Sequence, residues 1–181
     1  MPRYQFLPMS AADLPLVRRW LAAPHVREWW GDPDGQFALV SEDLERPAMD
    51  QFVVTIDGRP FAYLQCYDQT PWPDNGLGIH PLGTRGIDQF IGEPDMTGRG
   101  HGSAFIRAFI VGLIRTGTPR VLTDPDPANA RAIRAYEKAG FRREGRLRQE
   151  VFRDGRYWDT FVMGVLRDEW LAARQAEAAR V

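Results

Sequence analysis

The residues best suited to chemistry begin with one stretch, Thr97-Gly98-Arg99-Gly100-His101-Gly102, which runs directly into an apolar segment from Ser103 to Ile114. Three glycines at alternate positions allow a tight turn and remove the Cβ atoms that would hold a ligand away from the backbone. Phe105, Ile106, Phe109, Ile110, Leu113 and Ile114 follow at helical i, i+3/i+4 spacing. A glycine loop that opens a helix leaves unpaired N–H groups at the positive end of the helix dipole, a seat for phosphate. Taken alone, the loop also reads as an ordinary glycine turn before a core helix. A Walker loop is excluded, because no Gly-Lys-Ser/Thr closes it. A dinucleotide fingerprint fits at Gly98 and Gly100, with Asp124 at a suitable interval. Its third glycine, however, would fall at Ser103, and the loop lies mid-chain rather than at the head of a βαβ series.

Other reactive residue types are sparse. Cys66 is the only cysteine, so no intrachain disulfide forms, and its alternating apolar surroundings mark a core residue rather than a nucleophile. His25, His80 and His101 lack the spacing of metal ligands, so no metal is implied, and His101 is expected to face solvent. A formal net charge of −1 withholds the electrostatic footprint of a nucleic-acid binder. With 181 residues, 44% of them hydrophobic, the chain suits one domain over 1–181 with a proper core, its last residues a helical or frayed tail. The N-terminus shows no basic segment ahead of an apolar core, and no window approaches about 18 apolar residues. The expectation is a cytoplasmic protein that meets no membrane.

The elements that must position the loop follow from periodicity and punctuation. Gln5–Met9 reads as a strand. Ser10 is a good N-cap with Asp13 three residues on, and Leu14, Val17 and Leu21 form a helical face that Pro24 ends. Residues 25–31 give a second short helix carrying Trp29 and Trp30. Adjacent helical residues do not share a face, so the pair reads either as core packing of one with the other partly exposed, or as the aromatic wall of a ligand cleft. A further helix is expected over 40–50. Residues 51–56 and 59–67 flank Asp57-Gly58 as a hairpin. The Pro- and Gly-rich stretch from Thr70 to Thr84 is a loop, and 85–92 is a strand leading to the glycine loop. After the long helix come a strand at 120–123, a helix at 129–139 closed by Gly140, strands at 141–150 and 157–165, and a helix at 166–173. This order describes an α+β fold with one mixed sheet and not a doubly wound parallel one.

That order, the glycine loop after the fourth strand, and residues 129–141 (Asn-Ala-Arg-Ala-Ile-Arg-Ala-Tyr-Glu-Lys-Ala-Gly-Phe) resemble the GNAT acyl-CoA N-acyltransferases over nearly the whole chain. Thr97 stands where that family usually has Gln or Arg, while Gly100 and Gly102 match. A narrower resemblance is to aminoglycoside N-acetyltransferases of the 6′-acting branch. It rests on Glu28-Trp29-Trp30-Gly31, Arg85-Gly86-Ile87-Asp88-Gln89, Thr123-Asp124-Pro125-Asp126-Pro127-Ala128-Asn129 and residues 131–141. Residues 152–163 depart from that branch and look like the C-terminal hairpin of ribosomal-protein and small-amine acetyltransferases.

The resemblance implies a GNAT fold, with a central, mostly antiparallel sheet splayed near its middle and flanked by helices. It also implies acetyl-CoA as cosubstrate. Amide formation then needs an amine as free base, a polarised thioester and a proton for the departing thiolate. Asp88 is the carboxylate expected to attract the acceptor ammonium and take its proton, or only to bind it. Tyr136 is the phenol expected to protonate the CoA sulfur. The pyrophosphate would sit on the backbone N–H groups of Arg99, Gly100, His101 and Gly102, with Thr97, Gly98 and Ser103 also binding the cofactor. Gln89, Phe90 and Ile91 would flank the thioester, whose carbonyl meets a strand N–H. Asn129 would bond the pantetheine arm, and Lys138 would meet a CoA phosphate. Trp29, Trp30, Tyr67, Asp74, Asp88 and Asp124 would hold a cationic acceptor. The expected partner is that small molecule, bound by a monomer or weak homodimer. Alternatives remain open: a polyamine, a lysine-like or siderophore precursor or a protein N-terminus as acceptor, a 2′-amine instead of the 6′-amine, or a binding module without turnover.

Overall fold

Asp57 and Gly58 take left-handed φ values of 49° and 80°, the conformation a two-residue hairpin turn needs. They join β2 (Met49–Ile56) to β3 (Arg59–Asp68) in a computed structural model that describes residues 4–70, 80–153 and 155–178. Around this hairpin β1 (Tyr4–Pro8) pairs antiparallel with β2, and β4 (Arg85–Ile91) pairs antiparallel with β3. Next come β5 (Arg120–Thr123), β7 (Arg156–Leu166) and the edge strand β6 (Arg142–Arg153), in the order β1-β2-β3-β4-β5-β7-β6.

Every strand pair is antiparallel except β4–β5, which run parallel and pair at only two positions, Arg85 with Val121 and Gly86 with Leu122. Beyond Gly86 the two strands diverge. The expected splay of a mixed sheet is therefore present, and Ile87 to Ile91 are left without a ladder partner on the β5 side.

Successive residues of a strand point to opposite faces, and the core divides accordingly. Val54, Ala62, Leu64, Cys66 and Ile87 pack with α4 (His101–Arg115) and α5 (Ala130–Ala139). Val53, Tyr63 and Phe90 pack with α1 (Leu14–Leu21), α2 (Pro24–Trp30) and α3 (Pro33–Asp43). A last helix, α6 (Arg167–Ala178), returns Trp170 and Leu171 to the first of these clusters. Cys66 is buried there as a free thiol, and burial pushes it up to about 11.

Two sequence expectations shift. The helix placed at 40–50 is α3, which starts at Pro33 and ends at Asp43. The Asp32 side chain accepts from the Gly35 N–H at 2.7 Å, and Pro33 fills the first helical turn, so 32–35 is a helix start rather than a loop. The terminal helix begins at Arg167 and continues to Ala178, taking in most of the alanine-rich tail. Asp74 and most of the 70–84 loop lie outside the described residues.

Because the Asp32 cap satisfies an otherwise orphaned N–H, Asp32→Ala should lower the unfolding free energy by about 1 kcal/mol. Urea denaturation measures this directly; an unchanged midpoint would contradict the cap's role.

Candidate active site

The parallel register sets the site. Two residues beyond the last β4–β5 pair, Gly86 opposite Leu122, stand Asp88 and Asp124. Asp88 lies on β4 and Asp124 directly follows the end of β5, so the split opens between two carboxyl groups. They touch: a hydrogen bond links the two side chains.

Two more donors converge on Asp88. Gln65, its register partner on β3, donates Nε2–H to Asp88 Oδ2 at 2.9 Å. The Tyr67 hydroxyl donates as well. Tyr67 pairs with Gly86, and a Cβ at Gly86 would stand 2.4 Å from the Tyr67 ring, so the missing side chain is what lets the ring lie across β4.

Burial raises Asp88 above the ordinary carboxylate range, although its three hydrogen bonds pull the other way. Asp124 is pushed up to about 7, first by burial and then by the charge of Asp88, with Glu150 adding to the effect. Two carboxyl groups this close cannot both ionise freely, so below about pH 7 Asp124 keeps its proton and donates it to Asp88.

Tyr136 stands beside the pair on α5, only 5% exposed. Its hydroxyl accepts from Gln89 Nε2 at 2.7 Å and also bonds Thr123. Burial, and then the charge of Asp88, raise its pKa, so the phenol keeps its proton throughout the neutral range.

Two cavities meet here. One is a groove of about 260 Å³ whose walls include Gln89, Phe90, Ile91, Thr97, Gly98, Gly100, Gly102, Ser103, Asn129 and Lys138. The other is a polar cleft of about 380 Å³ floored by Asp88, Asp124 and Tyr136, with Asp126 at its side. Trp29, Trp30, Gln89 and Asn129 belong to both. Both tryptophans therefore form walls, and Trp30 also packs edge-on against Phe90, with ring centroids 4.9 Å apart. α2 is tied to the split strand by His25, whose Nε2–H donates to the Ile91 carbonyl at 2.9 Å.

The groove suits a phosphorylated, amide-bearing thioester. Gly98 and Gly100 have φ values of 73° and 85°, and a Cβ at either would meet open space, so the backbone is accessible at the mouth of α4. The Oε1 of Gln89 is buried without a hydrogen-bond partner among the described residues, an acceptor left unsatisfied beside the groove. The side-chain oxygen of Asn129 accepts from the Ala132 N–H at 3.0 Å as the cap of α5, which leaves its amide nitrogen for a ligand.

Some expected residues stand elsewhere. His101 does not face solvent: its Nδ1 shares a hydrogen bond with the Tyr4 hydroxyl at 2.9 Å, and its ring lies 5.7 Å from that of Phe61. As the first residue of α4 its side chain falls back over the sheet, so only its backbone can serve the loop. The exposed Arg99 side chain also lies outside the groove lining. Tyr67 lines neither cavity but stands behind Asp88. Tyr136 lies in the acidic cleft, not in the groove. Asp126 is structural in part: its Oδ1 accepts from the Ala128 N–H at 2.8 Å. Gln65, Thr123 and Arg153 were given no role from the sequence, and His25 was considered only as a metal ligand and set aside. Gln65 was within reach once β3–β4 register was known, whereas the other three depend on tertiary packing.

A mixed sheet split beside a glycine-opened helix, with an acidic pair at the split, defines an acyl-CoA-dependent N-acyltransferase. The chain belongs to the GNAT acetyltransferases, for the family model of the acetyltransferase (GNAT) domain matches residues 10–149. It is 34% identical over 146 residues to the aminoglycoside N(6′)-acetyltransferase type 1 of Klebsiella pneumoniae, covering 76% of this chain and 73% of that one. It is 26% identical over 171 residues to the spermidine N(1)-acetyltransferase of Escherichia coli K12, covering 91% and 87% of the two chains. A solved structure of AAC(6′)-Ib in complex with ribostamycin and coenzyme A superposes with a TM-score of 0.78 at 30% identity, covering 92% of this chain and 95% of that one.

The acidic pair has a consequence for stability. In the unfolded chain Asp124 returns to its ordinary value of 3.8, so between there and about 7 the folded protein holds the extra proton, and stability falls as pH rises through that window. Asp124→Asn removes the penalty. Its Tm should exceed that of the parent at pH 8, with the gap closing below about pH 4. Equal differences in Tm at both ends of the range would contradict the buried pair.

Proposed function

We propose that the chain is an acetyl-CoA-dependent aminoglycoside N-acetyltransferase that modifies the 6′-amine and so confers resistance. The observation that carries this reading is the acidic pair, Asp88 with Asp124, facing a tryptophan-walled cleft that joins the groove at Gln89. A sugar ammonium is attracted to such a cleft, and its chemistry needs a base there.

Acetyl-CoA supplies the acyl thioester. The backbone N–H groups of the glycine loop at the N-terminus of α4 would hold its pyrophosphate, and Lys138 a further phosphate. Gln89 Oε1 and the amide nitrogen of Asn129 would take the pantetheine amides. The unladdered N–H groups past Gly86 on β4 can meet the thioester carbonyl as charge develops on its oxygen.

Asp88, ionised and braced by Gln65, Tyr67 and Asp124, binds the acceptor ammonium and takes its proton, directly or through water. Asp124 adds a second negative charge once the pH passes about 7. Tyr136 holds a proton beside the sulfur's path and donates it to the leaving thiolate, with Gln89 orienting its hydroxyl. Among the described residues no cluster of His, Cys, Asp and Glu is suited to hold a metal ion.

A second reading, N-acetylation of a linear polyamine, draws on the C-terminal hairpin. β7 and the end of β6 lie beyond the family-model match at 10–149. The spermidine N(1)-acetyltransferase relative aligns over 91% of this chain, more than the 76% of the aminoglycoside relative.

Thiol release from acetyl-CoA across a panel of aminoglycosides, spermidine and lysine separates the two. The expected result is turnover of drugs carrying a 6′-amine, with the acetyl group placed there by NMR of the product. Faster turnover of spermidine than of any drug would overturn the aminoglycoside reading. On the best acceptor, Asp88→Asn should lower kcat by about 100-fold or more and Tyr136→Phe by about tenfold or more. Retention of full activity in either variant would remove that residue from its role.

A further inference from the structure

The β6–β7 hairpin forms the outer wall of the acidic cleft through a sequence of unusual local geometry. Between Leu147 opposite Thr160 and Val151 opposite Trp158, β6 has three residues where β7 has one. The extra residues form a bulge at Gln149, whose φ is 54°. Asp159 holds it: one carboxylate oxygen accepts from the Gln149 N–H at 2.9 Å and the other pairs with Arg146 at 2.5 Å. A bulge re-aims the strand that follows it, and here the strand delivers Arg153.

Arg153 spans the mouth of the cleft. Its Nη1 donates to the Trp29 carbonyl at 2.6 Å, and its Nη2 donates to Asp126 Oδ2 at 3.2 Å. The Trp29 carbonyl is one of the unpaired acceptors at the end of α2, where a cation is also favoured by the helix dipole. Its stem crosses Gly31, where a Cβ would stand 3.0 Å from Arg153 Cδ. Its guanidinium carbon lies 5.0 Å from the centroid of the Trp158 ring, and Trp158 Nε1–H donates to the Arg153 carbonyl at 3.0 Å. One side chain thus joins the hairpin, the end of α2 and the loop after β5, three elements that surround the cleft.

We propose that Arg153 is a specificity-determining positioning residue. It straps the hairpin to α2, fixes Trp29 opposite the acidic pair, and so sets which acceptors fit between them. This rests on the reading of that cleft as the acceptor site. The strap also occupies Asp126, which reserves Asp88 and Asp124 as the carboxyl groups that meet the amine.

The test compares Arg153→Ala, Arg153→Lys, Asp126→Asn and the Asp126→Asn/Arg153→Ala double variant, using the aminoglycoside that the parent turns over best. Arg153→Ala should raise the acceptor KM about tenfold, with kcat within about threefold and the KM for acetyl-CoA within about twofold. Lysine cannot fork between two oxygens, so Arg153→Lys should behave within about threefold of Arg153→Ala. Because Asp126 acts through Arg153, the double variant should lose no more than Arg153→Ala alone. An unchanged acceptor KM, a uniform loss across kcat and both KM values, or additive losses in the double variant would overturn the proposal.

A parallel measurement needs no turnover. Acrylamide should quench the tryptophan fluorescence of Arg153→Ala more steeply than that of the parent, because Arg153 lies over the Trp158 ring beside Arg156, at 5.0 and 3.6 Å, and holds the Trp29 backbone through its carbonyl. Identical quenching would overturn the strap. Absence of acetylation by the parent would count against the acceptor reading instead.

Discussion

The structure depends on a parallel pairing that stops early. β4 and β5 share only two register positions before they part. Antiparallel partners hold β4 on one side and β5 on the other, so the sheet stays intact while its middle opens. The unladdered backbone of β4 would be costly if simply buried. The two cavities meet along this opening, where a ligand can satisfy those groups. The same divergence places Asp88 and Asp124 face to face, so one feature creates both the open backbone and the buried charge beside it.

The electrostatics follow from where this split lies. Burial of Asp88 and Asp124 at the split favours the neutral form of both, and the charge of Asp88 further opposes ionisation of Asp124. Gln65, Tyr67 and the protonated Asp124 offset this for Asp88 by donating hydrogen bonds to it. An acceptor ammonium offsets it further. On the proposed reading, a bound cation recovers the cost of keeping the two acids close. Tyr136 shares the same buried environment with the opposite outcome: it stays a proton donor because desolvation and the adjacent carboxylate both oppose its ionisation.

Much of this was legible in the chain. The glycine loop and its helix, the Asp57-Gly58 hairpin, and the strand order all follow from local periodicity and turn chemistry. Asp88, Asp124 and Tyr136 were reached through family resemblance, and the structure brings them together. What could not be read depends on contacts distant in sequence. Trp29 and Arg153 are 124 residues apart, and nothing local to either announces the bond. The inward turn of His101 depends on Tyr4, 97 residues away. Tyr67 was expected to touch an acceptor, yet the glycine opposite it on β4 lets its ring reach Asp88 from behind. The start of α3 was missed for a different reason: Asp32-Pro33 reads equally as a turn and as a helix cap, and only the Gly35 hydrogen bond decides.

The claim that two coupled carboxyl groups at the sheet split govern acceptor binding is tested most directly by the pH dependence of kcat/KM for an aminoglycoside in the parent and in Asp124→Asn. The account predicts that kcat/KM of the parent rises through about pH 7 as Asp124 gives up its proton, and that this limb disappears in Asp124→Asn. A limb that persists unchanged in the variant would contradict it.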